Sequence, residues 1–89
     1  MDPWEYNFQK AKRVIMSHKA RSKGEIKCTK LDIAELLTNT TKCNMCGKYF
    51  YHENEKTIDH IIPVCVDGEL SMENIQVLCV CCNSKKGAN

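Results

Sequence analysis

No apolar run in this 89-residue sequence reaches the roughly 20 residues that a membrane-crossing helix needs, which excludes a helical span. There is no internal repeat, no low-complexity tract and no linker, so a repeat array and a disordered chain are excluded as well. The stretch MDPWEYNFQK is acidic, aromatic and amphipathic, without the basic-then-apolar build of a secretory leader. An intracellular protein is expected. Size is the most consequential shortage, because a domain this small buries too little surface to be comfortably stable without a cross-link. A staple is expected too. The composition, 43% hydrophobic and 27% charged, is otherwise that of an ordinary soluble globular chain.

The net charge of +2 hides an asymmetry. Residues 1–30 carry eight Lys or Arg against Asp2, Glu5 and Glu25, whereas residues 31–89 carry five against eight acids. A basic front of this kind is the usual footprint of a surface that meets phosphate backbones, although a lysine-rich helix face is also ordinary solvated surface.

Seven cysteines is an odd number, which argues against a full disulfide framework and for metal or free thiols. CNMC (Cys43, Cys46) and CVCC (Cys79, Cys82) form two C-x2-C knuckles separated by 32 residues. Each knuckle can offer two thiolates to one tetrahedral ion, so structural zinc is the expected staple. A redox pair would need only one such motif and a thioredoxin-like βαβ setting. Cys81 competes for the metal only by breaking the x2 spacing, and Cys28 and Cys65 are expected to be buried or free thiols.

Residues 4–22 read as a helix with Trp4, Phe8, Ala11 and Ile15 in one apolar stripe, Pro3 in the first turn and Gly24 as a stop. Its other face carries Lys10 and Arg13. Residues 31–37 read as a second, short helix, with Thr29 as N-cap and Asp32 three residues on. GKYFY is expected to return as the arm of a knuckle hairpin. HENEK is expected to be a charged turn with His52 at the surface. TIDHIIPV is rich in β-branched residues and reads as a strand ended by Pro63, and IQVLC reads as its partner after the Asp67-Gly68 turn. The closing CCNSKKGAN leaves room for a helix of a turn or two.

Within this frame Asp59 and His60 lie at the centre of the first strand, Asn74 precedes the second, and Asn83 follows the last knuckle cysteine. A carboxylate and an amide oxygen are hard ligands suited to Mg²⁺ or Mn²⁺, and a neutral histidine near pH 7 can take a proton from water. These are the parts for hydrolysing a phosphodiester. Adjacent residues of an ideal strand point to opposite faces, so Asp59 and His60 share a site only if the strand twists or bends there.

CNMCGKYF, IDHIIPV, ENIQVLC and CCNSKKG, in this order and spacing over residues 43–87, closely resemble the HNH nuclease family. The resemblance implies an α+β chain: a small zinc-stapled ββα-metal core over residues 41–89, with a basic helical extension, residues 1–40, packed on it. It implies a metal-dependent endonuclease that nicks DNA and leaves 5′-phosphate and 3′-hydroxyl ends. His60 takes the place of the general base and Asn74 that of the middle asparagine, which braces the loop. Asn83 replaces the final histidine of the family name, a pattern similar to recombination endonuclease VII, so Asp59 and Asn83 are the expected ligands of catalytic Mg²⁺ or Mn²⁺.

Lys10, Arg13, Lys19, Arg21, Lys23, Lys85 and Lys86 are the candidate DNA contacts, the last two being equally readable as solvated lysines. DNA is the expected partner, with no membrane, and the oligomeric state is left as monomer or homodimer. The family frequency of small HNH proteins suggests a phage or a bacterial or virus-infected cytoplasm. The rival reading is a zinc-ribbon module that binds nucleic acid without catalysis, and a third keeps the chemistry on branched DNA.

Overall fold

The structure, a computed structural model, describes residues 1–87, so the last two residues of the expected core lie outside the described residues. Its elements run α1 (Pro3–Arg21), α2 (Lys30–Asn39), β1 (Lys56–His60), β2 (Ile75–Cys79) and α3 (Val80–Lys86), with single 3-10 turns at Glu53–Glu55 and Val64–Val66. This is an α+β chain with one two-stranded antiparallel sheet.

Local chemistry explains where the helices begin. Asp2 caps α1 by accepting from the Glu5 N–H, and Pro3 occupies the first turn, where its missing donor costs nothing. Thr29 and Asp32 form a reciprocal capping box on α2. Of the expected stripe, Ala11 is buried and Phe8 and Ile15 pack against the core, but the most deeply buried line of α1 runs beside it. Asn7, Ala11 and His18 are fully buried, while Trp4 is 41% exposed. Spacing over 7, 11, 14 and 18 is as helical as 4, 8, 11 and 15, and the polar ends of that line are buried because each finds a partner: Asn7 donates to Thr38 and Glu53, and His18 reaches His60.

Strand pairing runs from Lys56 opposite Cys79 to His60 opposite Ile75. β1 therefore stops at His60, three residues before Pro63, where the expected strand ends. Ile61 and Ile62 are exposed, and the chain turns away because Asn74 captures it: its Oδ1 accepts from the Ile62 N–H at 2.8 Å, while its Nδ2 donates to the Ile62 and Glu69 carbonyls. The turn closes tightly at Gly68, where any Cβ would fall 1.8 Å from the Ile62 carbonyl oxygen. Lys56, expected in a charged turn, is instead buried at the head of β1, with its ammonium on the Leu37 carbonyl and the Glu53 carboxylate. His52 is exposed.

Two apolar clusters make the core. The larger joins Ala11 of α1 and Ile33, Ala34 and Leu37 of α2 to Leu70, Ile75 and Val77 beside and within the sheet. The smaller surrounds the knuckles with Cys43, Leu78, Cys79 and Cys82. Phe50 packs against both, coupling the knuckle region to the helical pair.

Candidate metal centre and active site

The first knuckle sits on a tight hairpin, with Lys42 bridged to Tyr49, the Cys43 N–H on the Lys48 carbonyl and Gly47 at positive φ. The second knuckle spans the end of β2 and the first turn of α3. Asn44 donates its N–H to the Val77 carbonyl, which brings the two together. One ligand atom from each of Cys43, Cys46, Cys79 and Cys82 lies within 4.8 Å of the others, and Cys46 Sγ stands 3.9 Å from Cys79 Sγ. A tetrahedron with Zn–S bonds of about 2.3 Å has edges of roughly 3.8 Å. The four sulfurs are positioned to bind a metal, and their softness suits zinc. Exposed Cys81 stands outside this group, and Cys65 is exposed while Cys28 is buried.

The acid–base behaviour of the cluster fits a cation. Burial by itself raises the Cys43 thiol, but the backbone N–H groups of Cys46, Cys79 and Met45 outweigh it and bring Cys43 down to about 6. Cys82, hydrogen-bonded first to Cys79 and crowded by the other sulfurs, is pushed up to about 12. The rise at Cys82 comes first from its hydrogen bond to Cys79 and then from burial, and binding a metal there would require this thiol to give up its proton.

Along β1, from Lys56 to His60, lies a cleft of about 690 Å³ between α1, β1 and α3, its walls including Arg13, Ser17 and Arg21 on one side and His60 and Asn83 on the other. His60, the last residue of β1, is 5% exposed. Its Nε2 lies 3.1 Å from His18 Nδ1, the two rings being nearly parallel with centroids 5.1 Å apart. Burial, then the neighbouring His18, then Arg21 hold His60 below its ordinary value of 6.5, with Asp59 acting in the opposite direction. The ring is therefore neutral at pH 7.

Asp59 projects to a different neighbourhood. It is fully buried, and its Oδ2 accepts from Gln76 directly across the sheet at 2.9 Å and from the Lys86 ammonium at 2.6 Å. Lys86 also donates to the His60 carbonyl. Asn83 donates its amide nitrogen to the Thr57 hydroxyl at 2.9 Å. Of the four residues singled out in sequence, His60 and Asn83 line the cleft together. Asp59 is not among the lining residues and meets Lys86 of α3, the helix that also carries Asn83, while Asn74 holds the loop after β1.

The candidate DNA contacts divide similarly. Arg13 and Arg21 line the cleft, as does Lys10, whose ammonium is half-buried and donates to the Glu53 and Lys56 carbonyls. Lys19 and Lys23 face a separate shallow depression beside Asp67. Lys85 is exposed, and Lys86 is engaged with Asp59.

The sequence reading missed His18 and Gln76. The only signal for His18 was its place in the line 7, 11, 14, 18, and for Gln76 its register opposite Asp59.

A family model described as HNH endonuclease matches residues 43–89, just over half of the chain. Neither a curated protein nor a solved structure matches.

Proposed function

The chain belongs to the HNH endonuclease family, and from that premise we propose that it hydrolyses DNA phosphodiester bonds in a metal-dependent reaction, nicking one strand per event. The observation that carries the reading is the buried His60 on the wall of a cleft whose facing helix presents Arg13 and Arg21. His60 takes the proton from a water, the water oxygen bonds to phosphorus, and the bond from phosphorus to the 3′ oxygen breaks. The 3′ oxygen is protonated from solvent, leaving 5′-phosphate and 3′-hydroxyl ends. The arginines hold the flanking phosphates, and Asn74 keeps the loop after His60 in place so that the ring does not swing.

Asp59 and Asn83 are the residues that would hold Mg²⁺ or Mn²⁺, and the chemistry of the donors fits. A fully buried carboxylate already draws a cation, the Lys86 ammonium, and Asn83, with its nitrogen committed to Thr57, offers a hard carbonyl oxygen. Such an ion, when bound, supplies neutralising charge to the phosphate and the departing oxygen. Lys86 and a divalent ion compete for one carboxylate, so Lys86 tunes how tightly the site takes metal.

The test is supercoiled plasmid incubated with zinc-loaded protein, wild type beside His60→Ala, with Mg²⁺, Mn²⁺ or chelator. Metal-dependent nicking by the wild type alone is expected. Retained DNA binding with no nicking by either protein would turn the reading to a zinc-ribbon module without catalysis, or to a substrate structure that a plasmid does not present. A single site cuts one strand, so double-strand breaks would require two copies or two visits.

A further inference from the structure

We propose that His18 of α1, outside the segment that matches the family, is a positioning residue that fixes the tautomer of His60 and leaves its Nδ1 as the proton-accepting atom. The role rests on His60 being the base proposed above. Gly24, His18 and His60 form a chain of three groups. His18 Nε2 lies 2.9 Å from the Gly24 carbonyl oxygen. A carbonyl can only accept, so the His18 proton is on Nε2.

In its singly protonated form, with that proton on Nε2, His18 presents a lone pair at Nδ1. It faces His60 Nε2 at 3.1 Å. Two lone pairs would repel at that separation, so His60 carries its proton on Nε2. The remaining ring nitrogen, Nδ1, is the only one able to take a proton from water. The opposite arrangement, a cationic His18 donating from both nitrogens, would put the His60 proton on Nδ1 and silence the base.

Local structure makes the bond stiff. His18 is 1% exposed in the last turn of α1, and Gly24 is held by its own N–H on Ser22 Oγ. Gly24 also packs against the backbone of Gly68, where an added Cβ would fall 2.4 Å from the carbonyl oxygen. The carbonyl that orients His18 is thus fixed by the same turn that closes the loop after His60. A partner that fixes the tautomer and ring orientation of a working histidine is a general device of such sites.

The experiment reads the tautomer directly, by long-range proton–nitrogen NMR of the histidine rings in the full zinc-loaded chain, alongside nicking kinetics of wild type, His18→Phe and His18→Asn. Wild-type His60 is expected in the Nε2–H form. His18→Phe, which removes the acceptor, should mix the tautomers and lower kcat about tenfold to a hundredfold, part of the 10²–10⁴ that a positioned base contributes, with KM within about twofold. His18→Asn keeps an acceptor near the Nδ1 position and should recover most of kcat.

An active wild type with His60 in the Nδ1–H form would overturn the role of His18 and leave the nuclease reading standing. An inactive wild type with His60 in the Nε2–H form would remove the nuclease reading while upholding the tautomer. Because the wild-type spectrum decides the tautomer, the outcome stands even if His18→Phe fails to fold. A folded His18→Phe with unchanged tautomer and kcat would equally overturn it.

Discussion

His60 combines two properties that conflict in a free imidazole, neutrality at physiological pH and a fixed orientation, and burial supplies both. His60→Ala should lower nicking about 10²–10⁴-fold with DNA affinity and zinc content unchanged, measured by plasmid relaxation and a binding isotherm. The pH dependence has a definite sign. The folded-state value of His60 lies below the 6.5 of the unfolded chain, so between the two the unfolded chain binds more protons. Its contribution to stability is complete above about pH 6.5 and is lost as pH falls through the folded-state value. Nicking should likewise hold from pH 7 upward and fall in acid, and thermal unfolding at pH 5 and 7 should show a smaller acid loss in His60→Ala than in wild type. At Asp59, Lys86→Met should strip a charge-assisted bond from a fully buried carboxylate and cost about 1–3 kcal/mol in urea unfolding without divalent ion. The same variant should bind Mn²⁺ more tightly by calorimetry. Weaker Mn²⁺ binding would show that lysine and ion do not compete.

α1 does two jobs that its sequence superimposes. Its inner line, Asn7, Ala11 and His18, joins the core, and its flank turns Arg13 and Arg21 into the cleft. Three of the eight bases of residues 1–30, Lys10, Arg13 and Arg21, thereby line the cleft beside the strand that carries His60. If the arginines hold phosphates, Arg13→Gln with Arg21→Gln should weaken DNA binding across sequences and make the slope of log affinity against log salt shallower by about two, near one per lost contact. Lys19→Gln and Lys23→Gln, beside Asp67 and away from the cleft, should change that slope less. The loop after β1 is an element of the same kind, irregular but held by Asn74 through both backbone polar groups of Ile62 and the Glu69 carbonyl. Asn74→Ala should cost roughly 1–3 kcal/mol, since it leaves three partly buried backbone groups without their partner.

For the whole molecule the decisive quantity is the metal. Structural zinc binds zinc-finger peptides with about 10–16 kcal/mol, comparable to or larger than the 5–15 kcal/mol by which domains are usually stable. Only a small apolar cluster surrounds the knuckles, and four of its residues include three of the ligands themselves. Strong chelation should therefore unfold residues 43–82, and Phe50 should carry the loss into the helical pair. The prediction is a single cooperative loss of ellipticity that tracks zinc release. Two separate transitions would mean that α1 and α2 stand without the knuckles. Among the described residues no helix is long and apolar enough to cross a membrane.

What the sequence alone determined is what depends on short-range spacing: the two knuckles, the capping box at Thr29, the paired strands and the order of Asp59, His60, Asn74 and Asn83. Two cysteines separated by two residues can face one ion without help from the rest of the chain, and a cap acts within three residues. The tertiary structure decided the contacts that join distant segments. His18 meets His60 across 42 positions, Lys86 meets Asp59 across 27, and β1 ends where Asn74 captures Ile62 rather than where its β-branched run stops. Periodicity could not choose between two overlapping helical lines on α1, because burying Asn7 and His18 is favourable only once Glu53, Thr38, Gly24 and His60 stand opposite to accept or donate their hydrogen bonds.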